Sequence, residues 1–519
     1  MNCSCSRCSR RQALQIGGLG IVGLVAPTTA RTVTATETEE TPDVDVYQSF
    51  EIGLSDDREH VTIHCDFTLG DGHDGPVTVG VQNINDVEIE TGTGVEVNGR
   101  RDSGKRFHHY SVYDGGSVTA TFPVTGDDFG QTFLGVGGEW AFVAPERLVM
   151  TMTRRSVTID FDLDLMPSTP GIVRGNHALL GEDDQYGLYE KDADEETLEL
   201  VVLGDADLPT HPDDILDALT ALSDSLSVGG VSDRVTIFGI SDDGFPEEAP
   251  GGSSDGSNSS AWLRGSFPLD AAPSVWDHEY VHTRQTYQSI KSSVLGDDTR
   301  WLFEAEADHY ATLVPYESGR ASFDELEYAY ERGNNDRYGD AVLADYGTWE
   351  DRRRANYTVG ALVLGWLDLQ IRKGSSMTHS LDDLLKEIDQ IPVGETVRHD
   401  DLLALIEKYA SEDVMQQADE YLTTDARPDF WGKETHEQYM SLDVSGGVID
   451  ASTDTQPEQS SEGEESERAS DADSEGWAVG GFLSDLSDGA VAALVSGGVS
   501  LSTILSYEYL TNSGSDGDE

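Results

Sequence analysis

The chain has 519 residues, with 98 Asp and Glu against 33 Lys and Arg, which gives a formal net charge of −65. This acidity excludes a nucleic-acid-binding protein that works through a basic surface, because neutralising phosphates requires clustered Lys and Arg. At roughly 100–200 residues per domain, the length allows about three domains plus tails.

The acidic charge has two interpretations: a disordered chain, or a folded surface that stays hydrated in concentrated salt. The periodic apolar patterns described below favour the folded surface, so the composition resembles that of proteins from extreme halophiles. In molar salt the Debye length is about 3 Å, so these charges would solvate the surface and barely steer ligands.

Residues 1–30 have the layout of an export signal. A basic start is followed by the apolar, glycine-rich run Ile16–Ala26 and by small residues. Within Ser9–Leu14 the sequence matches the S-R-R-x-x-L core and resembles a twin-arginine signal, which exports folded proteins. We therefore expect an exported protein, either extracellular or attached to the cell surface.

Residues 45–168 predict an antiparallel β domain with one solvated face. Apolar and polar residues alternate, most clearly over Val157–Leu165. Cys65 falls in phase with the apolar residues of such a strand, and we expect it in the core. It is the one cysteine outside the signal, so a mature chain has no intramolecular disulfide.

The remaining elements predict an α+β multidomain fold. A strand at Leu198–Leu203, a helix at Pro212–Leu226 and a strand at Arg234–Ile240 indicate a small sheet, and helical patterns follow it. We assign residues 195–375 to this sheet-plus-helices domain and residues 376–435 to a helical C-terminal part. The helical patterns cover Ser274–Ser289, Trp301–Leu313, Asn356–Ile371 and Leu381–Ile388.

The C-terminal residues predict a disordered acidic linker, 444–476, and an apolar tail, 477–511. The tail contains 19 uncharged residues, Gly489–Tyr507, long enough to span a bilayer as a helix but rich in Gly and Ser. We expect a membrane anchor, with a docking helix or no ordered role as the alternatives. The oligomeric state is left open.

The segment DHEYVHTRQ gives the clearest indication of a functional site. His278 and His282 are four residues apart, so on a helix both imidazoles face one metal ion. Glu279 lies about 100° around the helix from His278, close enough to act as the general base without being a ligand. The spacing predicts a catalytic zinc site with one Zn²⁺ per chain.

The string WLFEAEADHY supplies the expected third ligand. Two histidines and one carboxylate leave a tetrahedral zinc ion one open position, which is the catalytic arrangement. We assign Glu304 to this position, with Glu306 as the rival, about 200° around the helix from it. Asp308, one turn further on, would accept the distal N–H of a zinc-binding histidine, His278 in our assignment.

These residues resemble the gluzincin metallopeptidases, specifically the group that contains the M1 aminopeptidases and the glycyl aminopeptidases. In that group W-x-x-E-G-x-x-x-Y carries the glutamate ligand, and Trp301 and Glu304 match it, while Ala305 replaces the glycine. The resemblance covers about residues 198–431 and implies a gluzincin-type catalytic domain. It also implies that Tyr357 stabilises the oxyanion, although Val359 replaces the lysine of the family's Tyr-x-Lys-Gly motif.

The main departure from the family lies about 25 residues before the zinc motif. Aminopeptidases of this group carry a strand there whose glutamate binds the free amino terminus of the substrate. This chain keeps Gly251 and Gly252, and only Asp255 could supply a carboxylate. The plainer interpretation of this polar stretch is a flexible surface loop, so aminopeptidase specificity is doubtful and cleavage within a chain is equally open.

The sequence therefore predicts an exported, salt-adapted zinc metallopeptidase acting on peptide or protein substrates. The alternative hypothesis is a catalytically inactive gluzincin-fold protein displayed at the cell surface. The lost substrate-binding glutamate and the acidic linker favour this alternative, whereas the intact set of metal ligands and general base favours the enzyme.

Overall fold

The computed structural model describes residues 46–441, apart from 71–74, 84–86, 98–106, 124–133, 137–139, 153–158, 205, 243–250, 255–258, 288–293, 350–353 and 393–394. The predicted signal (1–30), linker (444–476) and apolar tail (477–511) lie outside these residues, so export and membrane attachment stay predictions. No helix in the described part combines the length and the apolar character that crossing a membrane requires.

The first half of the described chain is built of strands. The strands are β1 (Val46–Leu54), β2 (His60–Leu69), β3 (Val77–Gln82), β4 (Glu88–Thr91), β5 (Val95–Val97), β6 (Phe107–Val112), β7 (Ser117–Pro123), β8 (Leu134–Val136), β9 (Ala141–Val143), β10 (Val149–Met152), β11 (Ile159–Leu165), β12 (Gly171–Arg174) and β13 (His177–Leu180). A four-residue helix, α1 (Pro145–Leu148), precedes β10.

Two of the sheets enclose the N-terminal core. One has the order β11-β1-β2-β7-β4 and the other β10-β3-β6-β5, and their inward side chains pack in one cluster. Cys65 is fully buried in it, beside its cross-strand partners Phe50 and Val118, which explains the alternating pattern of β2. The domain is antiparallel as predicted, with one exception at a sheet edge, where β11 returns from far along the chain and pairs with β1 in parallel.

A third sheet, β12-β13-β9-β8, extends the strand region to Leu180. Its residue Phe142 packs against Trp262, with ring centroids 5.8 Å apart. Trp262 belongs to the following sheet, so this aromatic contact joins the third sheet to the sheet that carries the functional site.

The fourth sheet has the order β14-β15-β16-β18-β17. Strands β15, β16 and β18 are parallel, and the crossover from β15 to β16 is helix α2. This helix begins at Pro212, where the absent N–H of proline costs no helical hydrogen bond. The members are β14 (Tyr186–Asp192), β15 (Thr197–Leu203), α2 (Pro212–Ser225), β16 (Arg234–Ile240), β17 (Gly252–Ser254) and β18 (Ser260–Arg264).

Helices form the rest of the described chain and share one large core with the fourth sheet. The helix predicted to run to Ser289 ends at Arg284, and the one predicted to end at Leu313 continues to Glu317, so the boundaries rather than the elements differ. The helices are α3 (Val275–Arg284), α4 (Leu302–Glu317), α5 (Phe323–Glu331), α6 (Ala355–Gly374), α7 (Leu381–Asp389), α8 (His399–Tyr409), α9 (Glu412–Thr423) and α10 (Lys433–Tyr439).

Candidate metal centre

Helix α3 carries the two histidines of the H-E-x-x-H string. The hydroxyl of Ser274 accepts a hydrogen bond from the backbone N–H of Asp277 and caps the start of the helix. Because residues four apart lie one above the other, the Nε2 atoms of His278 and His282 come within 3.0 Å of each other. Both side chains are buried.

The opposite sides of α3 are fixed by buried ion pairs. Arg320 donates to Asp277 at 2.6 Å, next to the first histidine. Glu196, which immediately precedes β15, accepts a hydrogen bond from the hydroxyl of Tyr280 and lies 3.4 Å from the guanidinium of Arg284. These contacts hold the helix on both sides of its histidine-bearing face, so the imidazoles are positioned by a rigid element rather than by a loop.

Helix α4 brings Glu304 to the two histidines. Its Oε2 lies 3.4 Å from Nε2 of His278 and 3.3 Å from Nε2 of His282. Tetrahedral zinc with bonds of about 2.0–2.2 Å requires ligand atoms about 3.3–3.6 Å apart. The two edges to Glu304 match this separation and the 3.0 Å edge between the histidines is slightly shorter, so three of the four corners of such a site are present.

The environment of Glu304 also fits a cation. Its side chain is fully buried, and among the described residues neither of its oxygens has a hydrogen-bond partner. Burial lowers the pKa of His278, but the nearby carboxylates of Asp308 and Glu304 raise it to about 10 overall. A positive charge is therefore favoured at this point, and a metal ion held by His278, His282 and Glu304 would supply it.

The rival ligand, Glu306, lies elsewhere on α4. Its carboxylate accepts a hydrogen bond from the hydroxyl of Tyr287, and burial together with the negative charge of Asp389 raises its pKa to about 8. The structure thus brings Glu304, and not Glu306, to the histidines, as the angular separation on the helix predicts.

Each histidine has a partner for its other ring nitrogen. The carboxylate of Asp308 lies 3.6 Å from Nδ1 of His278, the histidine to which we assign it from the sequence. The sequence reasoning missed the partner of His282, which is the amide of Gln285, 2.7 Å from Nδ1. The sequence spacing could have predicted this contact, because Gln285 follows His282 by three residues and therefore lies near it at the end of the same helix.

Gln285 also joins α3 to α4. Its Nε2 donates to the carbonyl oxygen of Phe303 at 2.8 Å and to the hydroxyl of Tyr287 at 2.9 Å. With Nε2 used as a donor, Oε1 is the acceptor for the His282 N–H, so Nε2 of His282 is left free to bind a metal. One side chain thus orients a histidine ligand and holds the residue that precedes Glu304.

Glu279 faces the edge strand β17. From the sequence, we interpret the polar segment around β17 as a flexible surface loop. This interpretation is wrong for Gly252–Ser254, which pair with β18 in antiparallel fashion and are buried. Gly and Ser carry no strand signal of their own, and the partner strand supplies the hydrogen bonds that determine the conformation. A Cβ on Gly252 would lie 2.8 Å from Oε1 of Glu279, so the strand backbone directly contacts the predicted base.

The other two residues assigned to substrate binding are Gly251 and Asp255. Gly251 lies beside the ring of Phe267, where a Cβ would come within 2.9 Å of two ring carbons. Asp255 lies outside the described residues.

Tyr357, in the first turn of α6, lies beside the predicted metal ligands. Its ring stacks on that of His278, with centroids 5.6 Å apart and planes at 11°. Burial and then the negative charge of Glu304 raise the pKa of its hydroxyl well above the ordinary value. The phenol is therefore protonated at neutral pH and can donate a hydrogen bond at the metal centre.

The structure is similar to several solved structures. The chain resembles an aminopeptidase N family protein from Idiomarina loihiensis at 12% identity and a TM-score of 0.52, over 76% of this chain and 78% of that one. It is also similar to an M1 zinc metallopeptidase from Deinococcus radiodurans bound to a Tyr-Ser-Ala substrate, at 11% identity and a TM-score of 0.47, over 75% and 95%. A further similarity is to native yeast LTA4 hydrolase, at 10% identity and a TM-score of 0.44, over 75% and 69%.

No protein-family model matches the sequence, and no curated protein matches it. At these identities the likeness concerns the fold. The chain therefore has a mixed α+β fold similar to that of an aminopeptidase N family protein.

Proposed function

We propose that the protein is a zinc-dependent peptidase. The observation that carries the proposal is the triangle of His278 Nε2, His282 Nε2 and Glu304 Oε2, with edges of 3.0–3.4 Å. Glu279 lies on the same helix as the histidines and is buried beside them. A buried carboxylate without a hydrogen-bond partner is costly in a folded protein, and a bound cation removes that cost.

The side chains around the metal position have distinct tasks in peptide hydrolysis. Zinc, when bound, supplies Lewis-acid polarisation of the scissile carbonyl and of the attacking water. Glu279 takes a proton from the water at its carboxylate and passes it to the leaving amine. Tyr357 donates its phenolic proton as a hydrogen bond to the developing oxyanion, a contribution of about 3–4 kcal/mol in comparable sites.

The edge strand β17 consists of Gly252, Ser253 and Ser254. None of these residues has a carboxylate that could bind the amino group of a substrate. The backbone of an edge strand can still pair with an extended peptide. We therefore propose that peptides with a blocked amino terminus are also cleaved.

The decisive experiment combines metal content with hydrolysis, using the full chain purified in molar salt. Elemental analysis should find about one zinc per chain in the wild type and little in His282→Ala. Glu279→Gln should keep zinc but lose cleavage of a peptide library, because it removes the base and none of the three ligands. His379→Ala is the matched control, since His379 is largely exposed and pairs with Asp383.

The outcomes separate this proposal from its rival. A wild-type protein without zinc would contradict the metal centre and favour the display protein. Zinc-loaded protein whose Glu279→Gln variant still cleaves peptides would contradict the role of the base while leaving the metal site intact.

A further inference from the structure

Two arginines lie at the start of α6, close to the metal centre. Arg354 immediately precedes the helix and has helical backbone angles. Residues three apart lie on the same side of a helix, so Arg354 is adjacent to Tyr357, whose ring stacks on His278. One helical turn thus separates Arg354 from a side chain that contacts a predicted metal ligand.

The second arginine, Arg332, is brought there by a 3-10 turn, Arg332–Asn334. The turn packs on α6 through Gly333, where a Cβ would lie 2.7 Å from the carbonyl oxygen of Thr358. Only a residue without a side chain permits this approach, and it places Arg332 beside the first turn of the helix. The proximity has an electrostatic consequence, because the charge of Arg332 adds to the effect of burial in lowering the pKa of Arg354.

The two arginines have no acidic partner among the residues that the structure describes. Within the described part of the chain, Arg354 and Arg332 form no side-chain hydrogen bond or ion pair, although acidic residues outnumber basic ones by 98 to 33. Other partly buried arginines do contact carboxylates: Arg320 lies 2.6 Å from Asp277 and Arg372 lies 2.8 Å from Asp368.

The acidic groups that act electrostatically on Arg354 do not neutralise it. Asp308 and Tyr357 act on Arg354 electrostatically, but Asp308 is engaged with Nδ1 of His278 at 3.6 Å. A partly buried guanidinium carries five N–H donors, and leaving them without acceptors is unfavourable. An anion that arrives with the substrate would satisfy them.

We propose that Arg354 and Arg332 form a subsite for a carboxylate of the substrate. The inference rests on the proposed peptidase function and identifies the substrate class. A guanidinium matches a carboxylate through two parallel N–H···O hydrogen bonds, which a desolvated site strengthens. The preferred substrates are peptides with a negative charge close to the scissile bond.

The spacing along α6 limits where that charge lies. Residues 354 and 357 are about 4.5 Å apart along the helix axis, and an extended peptide advances about 3.3–3.6 Å per residue. We therefore place the carboxylate within a few residues of the scissile carbonyl to which Tyr357 would donate. It is either the terminal α-carboxylate of a short leaving segment or the side chain of Asp or Glu at that position.

Three matched peptides test the subsite and separate these two sources. All have a free amino terminus. The first two share one sequence and end in a carboxylate and in an amide, respectively; the third differs from the second only in having Asp as its last residue before the amide. For the wild type we expect kcat/KM about 10- to 100-fold higher for the acid than for the amide. Equal rates for the acid and the Asp amide would indicate any nearby carboxylate, whereas a high rate for the acid alone would indicate the α-carboxylate.

The variants assign the effect to the two arginines. Arg354→Gln and Arg332→Gln should each reduce the acid-to-amide ratio towards one, and Arg354→Lys should give an intermediate ratio because it keeps the charge but loses the bidentate geometry. Arg58→Gln, which removes a positive charge in the N-terminal strand region, is the control and should keep the wild-type ratio.

A binding measurement keeps the test independent of turnover. In the Glu279→Gln background, calorimetric titration should give a dissociation constant about 10-fold or more lower for the acid than for the amide, and Arg354→Gln should remove the difference. If a variant does not fold, as judged by its thermal melt, the acid-to-amide comparison in wild type and Arg354→Lys still decides the matter.

The outcomes that would overturn the subsite differ from those that would overturn the enzyme. Cleavage of all three peptides at equal rates, with equal affinities, would reject the subsite and leave the peptidase intact. No cleavage of any peptide by zinc-loaded protein would reject the proposed function, while an acid-to-amide difference in binding would then still support the subsite.

Discussion

Gly252 and Glu279 are in direct contact across the edge of the fourth sheet. A Cβ on Gly252 would lie 2.8 Å from Oε1 of Glu279 and 2.8 Å from the carbonyl oxygen of Trp262. The carbonyl is fixed by strand pairing, so an added side chain would displace the carboxylate and also shift the backbone at residue 252. The absence of a side chain at residue 252 is therefore what allows the predicted base its position.

Replacing Gly252 by alanine should impair catalysis without removing the metal. We expect Gly252→Ala to lower kcat/KM about 100-fold, the typical effect of displacing a reacting group by about 1 Å, because the methyl group pushes Glu279 aside. Zinc content, measured by elemental analysis, should match the wild type. Gly432→Ala is the control, since nothing lies within 4 Å of its Cβ position; wild-type activity in Gly252→Ala would refute the packing argument.

Gln285 should control zinc affinity. Gln285→Leu removes the acceptor for the N–H of His282 and the donor to the carbonyl of Phe303, so both a ligand and the neighbouring helix lose support. We expect the zinc dissociation constant to rise about 10- to 100-fold, measured by competition with a chromophoric chelator. Gln285→Glu, which restores the acceptor, should lie closer to the wild type.

The comparison variant for that experiment is Gln416→Leu, at an exposed position of α9. It should leave zinc affinity unchanged. If folded Gln285→Leu binds zinc as tightly as this control, the amide has no positioning role.

His309 should make the fold sensitive to mild acid. Its ring is buried against the hydroxyl of Tyr330 at 2.8 Å, and burial, followed by the charges of Arg372 and His436, lowers its pKa to about 3. In the unfolded chain the pKa is about 6.5. Below this value the unfolded state takes up a proton that the folded state does not, so the free energy of unfolding falls as pH falls from about 6.5 towards 3.

Urea denaturation of the wild type and His309→Gln measures this contribution. Between about pH 6.5 and pH 5 the free energy of unfolding of the wild type should fall by about 1–2 kcal/mol more than that of the variant. His379→Gln, at an exposed histidine, serves as the control. Parallel pH profiles for wild type and His309→Gln would show that the buried ring does not contribute.

Salt should stabilise the folded chain. The net charge of −65 makes the compact state repel itself, and raising KCl from about 0.1 M to 1 M shortens the Debye length from about 10 Å to about 3 Å. We expect Tm to rise steeply over this range. Sucrose, which is excluded from protein surfaces without screening charge, should give a smaller rise; equal effects of the two solutes would contradict the electrostatic explanation.

The sequence by itself determined the relationships that lie within one helical turn or one strand. The pairing of His278 with His282 follows from helical spacing, because the geometry of a helix is the same wherever it occurs. The same reasoning separated Glu304 from Glu306. The burial of Cys65 followed from alternation along one strand.

Only the tertiary structure decided the relationships between distant segments. Gly252 and Ser253 lack any strand preference, and pairing with β18 places them against Glu279. The parallel pairing of β1 with β11 and the arrival of Arg332 at the start of α6 likewise depend on chain returns that local patterns do not encode. Local propensities contribute tenths of a kcal/mol per residue, whereas packing and sheet pairing add many such contributions at once, so the tertiary contacts determine these positions.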